Sequence, residues 1–151
     1  MTPQELWHFL PYGYLFTIAI ETPILLVGLA RRHSWQRRLF AGMWLTACTY
    51  PIVVLVLPLC FDLREHRTLY LIVAETFAPV AECALFWAAF GTREDFGRWS
   101  MGQDFLVITL ANLASFGAGE LAYELGWFPG REPLDFSSVT QLPCFALFPF
   151  G

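Results

Sequence analysis

The chain contains no lysine; its nine basic residues are all arginine. Charged residues of both signs make up 15% of 151 positions, against roughly 25% in a soluble domain. That shortage excludes an ordinary water-soluble globule, and the lack of a long basic run excludes a charged nucleic-acid patch. Metal motifs are also missing. There is no His-x-x-x-His and no Cys-x-x-Cys, and His8, His33 and His66 all fall at or beyond the expected membrane edges. A zinc or di-iron centre is unsupported, and a haem within the spans would have no histidine ligand. Neither a Gly-rich phosphate loop nor a Gly-x-Ser-x-Gly elbow occurs, so no cofactor is implied.

What the chain has is apolar sequence in long blocks. Hydrophobic residues reach 56%. A span needs about 20 mostly apolar residues to cross ~30 Å of hydrocarbon. Four stretches qualify, at about 11–30, 39–61, 68–91 and 104–125. Their short connections predict an all-α, polytopic membrane protein, a four-helix transmembrane bundle with sequence neighbours antiparallel. Residues 1–128 would form the transmembrane domain. Residues 129–151 read as an irregular apolar tail, too short to span and broken by Pro143 and Pro149. The N-terminal MTPQELWHFLPYG lacks the basic region and cleavage site of a signal peptide. The first hydrophobic segment is therefore expected to remain as a helix. Six Trp, five Tyr and fifteen Phe suit aromatic belts at the two interfaces.

Arginine placement sets an expected orientation. Arg31, Arg32, Arg37, Arg38, Arg93 and Arg98 lie in the first and third loops; Arg64, Arg67 and Arg131 lie on the other side. The positive-inside rule then puts the first and third loops in the cytoplasm and both termini outside a cell membrane. Cys60 and Cys144 would share the outer side, where a disulfide between them would pin the tail.

The informative residues are polar ones in costly places. A charged side chain at the bilayer centre costs about 3 kcal/mol on insertion scales and seldom faces lipid. Glu21 falls at the middle of the first span. Glu75 lies ~7 Å outward of the third span's middle and Glu82 ~4 Å inward. Seven residues apart, those two share a helix face. The other spans supply partners: Thr46, Thr49 and Tyr50 in the second; Asn112, Ser115 and Glu120 in the fourth; Thr17 and Tyr14 on the Glu21 face. Stacked by depth, Glu75 and Glu120 would be outermost, Glu21 with Thr49 and Tyr50 central, and Glu82 with Asn112 innermost. No basic residue within the spans can act as counter-ion, which favours a protonated carboxyl or a bound cation over an internal salt bridge.

Pro23, Pro51 and Pro79 interrupt the spans. Each leaves the carbonyl four residues earlier without its amide partner, and for Pro79 that carbonyl belongs to Glu75. The fourth span carries the small-residue ladders Ala111–Ser115–Gly119 and Ala114–Ala118–Ala122, which permit close helix packing. The sequence also hints at two repeated helix hairpins. Glu21-Thr22-Pro23 resembles Glu75-Thr76 with Pro79, and Thr46 to Pro51 resembles Asn112 to Gly117. Pairing Glu21 with Glu82 gives the better spacing. Such a repeat would be parallel.

Four short spans with a central glutamate in the first resemble the small multidrug transporters in that one respect. The chain is longer, and the residues around Glu21 and in span two depart from that family's pattern, so no role carries over. Three functional readings stand in order. The first is a small proton- or cation-coupled carrier or channel using Glu21, Glu75 and Glu82, with Thr46, Thr49, Tyr50, Asn112, Ser115 and Glu120 in support, in the lipid bilayer and as a homo-oligomer. The second is a non-enzymatic accessory subunit whose polar residues bond to partner membrane subunits. The third is a membrane enzyme acting on lipid or quinone, for which no loop supplies a headgroup site.

Overall fold

The computed structural model describes residues 3–61, 66–91, 99–125 and 127. The 129–151 tail, Cys144 and the loop arginines Arg64, Arg93, Arg98 and Arg131 lie outside the described residues. Helix α1 covers Pro3–Gly28 and α2 covers Trp35–Pro51. A π-helical turn, Ile52–Val56, joins α2 to the short α3, Leu57–Cys60. Helix α4 covers Arg67–Phe90 and α5 covers Trp99–Glu124. There is no strand among the described residues.

Four helical stretches are long and apolar enough to cross a membrane: Leu10–Gly28, Trp35–Cys60, Thr68–Phe90 and Trp99–Ala122. They match the four expected spans, with α1 and α5 beginning several residues earlier. The bundle inverts the soluble pattern. Leu15, Val27, Met43, Ile52, Leu59, Ile72, Val80, Leu106 and Leu110 point outward, while Glu21, Thr46, Thr49, Glu82 and Asn112 are buried. Lipid solvates the apolar exterior, so only the interior has to satisfy polar groups. Around the bundle the order is α1, α2, α4, α5: α1 packs mainly on α2 and α5, and α4 on α5 and α2.

Proline 51 accounts for the break in span two. Lacking an N–H, it cannot bond to the Ala47 carbonyl, and the chain relaxes into the π turn beyond it. The Tyr70 hydroxyl of α4 donates to the Val53 carbonyl within that turn at 3.1 Å. A π turn loosens the normal carbonyl ladder, and here a side chain of the adjacent helix fills one of the gaps.

The connection between α1 and α2 is locked more firmly than its loop sequence suggests. Ser34 caps α2, its Oγ accepting the Arg37 N–H at 3.4 Å. The Arg38 guanidinium donates to the carbonyls of Leu26, Ala30 and His33 at 2.9, 3.2 and 3.0 Å. Gln103 Nε2 donates to the Gly28 carbonyl at 2.8 Å. These groups take up the orphan carbonyls at the α1 C-terminus, where cationic donors are also favoured by the helix dipole. Asp104 of α5 completes the clasp. Its Oδ1 accepts the Ala30 N–H at 2.7 Å, and its Oδ2 lies 2.9 Å from Arg32 Nη2 and 3.1 Å from His33 Nε2. By sequence Asp104 and His33 read only as residues of the membrane edge; in the fold their exposures are 0% and 5%.

Helices α1 and α2 come into close backbone approach at Gly42. A Cβ there would fall 2.7 Å from Thr22 Oγ1 and 2.9 Å from Thr22 Cα. Backbone cannot swing aside as a side-chain tip can, so Gly42→Ala must push the helices apart. The expected cost is about 1–3 kcal/mol, the usual range for overpacking, read as a lowered unfolding midpoint in detergent. An unchanged midpoint would mean that the approach is looser than the geometry indicates.

Candidate functional site: a paired carboxyl network

Glu21 and Glu82 enter the bundle interior from opposite corners, α1 and α4, and each is 2% exposed. Between them stand α2 and α5, each offering two polar side chains one turn apart. Residues three apart on a helix are surface neighbours, about 5–6 Å between Cβ atoms, so each of these helices can serve both carboxyls. Thr46 Oγ1 donates to Glu21 Oε2 at 2.7 Å, and Ser115 Oγ donates to Glu21 Oε1 at 2.6 Å. Thr49 Oγ1 donates to Glu82 Oε1 at 2.8 Å, and Asn112 Nδ2 donates to Glu82 Oε2 at 2.7 Å. Every carboxyl oxygen of the pair has one neutral donor.

The depth order differs from the sequence expectation. Glu21 bonds the first threonine of α2 but the second polar residue of α5; Glu82 bonds the second threonine of α2 but the first of α5. The bonds therefore cross, and the two carboxyls share one level instead of stacking in separate layers. Exchanging Glu21 with Glu82, Thr46 with Asn112, and Thr49 with Ser115 maps the four bonds onto one another. The pairing of Glu21 with Glu82, favoured by sequence spacing, is the one that the bonding pattern follows.

The remaining expected residues stand apart from this network. Glu75 is half-buried two turns from Glu82, beside Tyr70 and Glu120. Tyr50 is half-buried with its ring against Tyr14, centroids 6.3 Å apart. Glu120 is half-buried in the same half of the bundle.

The hydroxyls have a property that the sequence does not reveal. Each also lies close to a carbonyl of its own helix: Thr46 Oγ1 is 3.1 Å from Gly42 O, Thr49 Oγ1 is 3.1 Å from Leu45 O, and Ser115 Oγ is 2.9 Å from Asn112 O. A hydroxyl carries one proton and two acceptor lone pairs. Facing a carboxylate, it donates to the carboxylate. Facing a protonated carboxyl, it accepts that proton and turns its own hydrogen to the backbone carbonyl. Three hydroxyls can thus satisfy either state of the acids with no heavy-atom movement. Asn112, with two amide hydrogens, reaches Glu82 and the Ile108 carbonyl (3.1 Å) together.

Charge decides how the pair can be occupied. The two carboxyls interact electrostatically, like charges in a low-dielectric interior repel, and all four of their side-chain donors are neutral. Among the described residues no group of three or more His, Cys, Asp or Glu side chains is gathered as a metal site requires. The fold and site together define a multi-pass, all-α membrane bundle built around an internal carboxyl pair. No family model, no curated protein and no solved structure matches the chain.

Proposed function

We propose that this protein is a small proton-coupled membrane carrier or channel in which Glu21 and Glu82 hold the transported or coupling proton. The observation that carries this reading is the set of three hydroxyls poised between a carboxyl oxygen and a backbone carbonyl. A static polar contact between helices needs only one hydrogen-bond arrangement. A site that loads and unloads a proton needs two of nearly equal energy. The proton is favoured over a larger cation because the carboxyls are already fully engaged by short bonds to neighbouring helices. The arginine bias supports placing the first loop in the cytoplasm.

Infrared spectroscopy during a pH titration in detergent tests proton binding directly. A carboxylic-acid carbonyl band should rise and fall with pH, shrink in Glu21→Gln and in Glu82→Gln, and shrink furthest in the double variant. In proteoliposomes under an imposed pH gradient, each single variant should slow proton-linked flux about a hundredfold or more, the range for removing an acid–base group. A band identical in wild type and double variant would defeat the proposal.

A second reading, an accessory subunit, is supported by α5. Its Gly102 and Gly117 are exposed, and Cβ atoms there would meet nothing within 4 Å, leaving open surface for a partner helix. Cross-linking through cysteines placed at Gly102 and Gly117 in native membranes tests it: capture of a different subunit favours that reading, and an uncross-linked monomer counts against it.

A further inference from the structure

The two halves of the bundle on either side of the carboxyl pair are built from different materials. Toward the α1–α2 connection, the next residues inward are Leu25 and Leu29 of α1, Ala41 and Leu45 of α2, Phe86 of α4, and Ile108 with Ala111 of α5. All seven belong to one apolar cluster, none more than 1% exposed. All four spans contribute, so the layer crosses the whole interior. Behind it sits the Asp104–Arg32–His33 clasp, with the His33 ring edge-on to Phe86, centroids 5.2 Å apart. Protons do not cross a close-packed apolar layer that has neither room nor partners for water.

The opposite half is furnished otherwise. Its apolar cluster is smaller, Tyr70 and Leu71 with Leu57, Phe61 and Phe116, and none of it comes from α1. Along α1 the residue at that depth is half-buried Thr17, while Tyr14 turns its hydroxyl to the Met43 carbonyl at 3.0 Å. From the other elements the polar and titratable groups are Tyr50 of α2, Glu75 and Tyr70 of α4, and Glu120 of α5. Glu75 precedes Glu82 by seven residues on the same face of α4 and lies within electrostatic range of Glu120 and Glu21. Pro79, one turn on, has no N–H to give the Glu75 carbonyl, which leaves an acceptor between the two glutamates of α4. Their separation along the axis is about 10 Å, a gap that the proton crosses through water.

We infer that the Glu21–Glu82 pair exchanges its proton through the half of the bundle away from the α1–α2 loop, with Glu75 as the stepping carboxyl, while the Leu25–Leu29–Leu45–Phe86–Ile108 layer seals the other half. This inference rests on the pair being a proton site, and its test separates the two. After a rapid pH jump, the carboxylic-acid band of the pair is followed in time. Glu75→Gln should slow its appearance about tenfold or more, as expected when a proton-transfer group is removed, and keep the pair's contribution to its final amplitude. Glu75→Asp should restore most of the rate, and Asp104→Asn should leave the rate unchanged. An unaltered rate in Glu75→Gln, or slowing in Asp104→Asn alone, overturns the route. A band identical in wild type and in the Glu21→Gln, Glu82→Gln double variant overturns the proton site itself.

A second arm does not depend on the Glu75 variant folding. In a background with the four native cysteines replaced by serine, Ala78→Cys, between Glu75 and Glu82, should react with a small charged thiol reagent. Ala111→Cys, in the apolar layer, should stay inert. Equal or reversed reactivity refutes the sidedness.

Discussion

Asp104→Ala is expected to destabilise the bundle by about 3 kcal/mol, the lower end of the cost of breaking a buried ion pair. The lower end applies because Arg32 retains 27% side-chain exposure and can turn toward water or headgroups. His33 and the Ala30 N–H have no such freedom. Both are buried, and both lose their acceptor in the same substitution. The loss also spreads, because Arg32, His33 and Ala30 all belong to the segment that turns the chain from α1 into α2. Arg38 would still hold the α1 carbonyls, and between that turn and α5 the weaker Arg32–Met101 and Gln103–Gly28 contacts would remain. Asp104→Asn should cost clearly less, since one oxygen remains for the Ala30 N–H. Equilibrium unfolding in mixed micelles measures both. If Asp104→Ala unfolds at the wild-type midpoint, the clasp is dispensable.

Phe86→Ala should damage both stability and function. Removing a buried phenylalanine costs about 3–5 kcal/mol in transfer energy and residual cavity, and Phe86 is only 1% exposed among Leu25, Leu29, Leu45 and Ile108. The second effect follows from what lies at the two ends of the lost ring. Glu82 is one turn before it on α4, and His33 packs edge-on against it. A wholly apolar cavity stays dry, but one with polar groups at both ends can hold hydrogen-bonded water. Such water would join the carboxyl pair to the clasp and cross the sealing layer. Proteoliposomes carrying Phe86→Ala should therefore dissipate an imposed pH gradient faster than wild type. Phe86→Leu should lose less stability and leak little. A destabilised but proton-tight Phe86→Ala would show that the layer is structural packing without a barrier role.

How far the sequence could be read varied from residue to residue. The spans were legible because hydrocarbon thickness imposes a minimum apolar length that a linear scan detects. Glu21, Glu82, Thr46, Thr49, Asn112 and Ser115 were legible as candidates because polar residues are costly in lipid, and the structure gathers those six into one network. Their pairing was not legible. Depth arithmetic treats each helix as an independent ruler and put Glu82 a layer below Glu21. Packing brings them level, since the crossed bonds depend on how α2 and α5 slide and rotate against α1 and α4. Asp104 was passed over for a related reason. An acid at a span boundary is unremarkable until the fold carries it onto Ala30, Arg32 and His33, some seventy residues earlier in the chain. The arginine-rich first loop facing the start of span four was the available signal.

Composition and order of residues alone therefore determined that this chain crosses a membrane as four helices and that its spans carry the carboxyls of Glu21, Glu75 and Glu82. Those are properties of single segments meeting a solvent, and each segment bears its own evidence. Only the tertiary structure decided that Glu21 and Glu82 form one level, that three hydroxyls stand between acid and backbone, and that an apolar layer closes one side of the pair. Those are relations between helices, and their distances of 2.6–2.8 Å come into being when the helices pack.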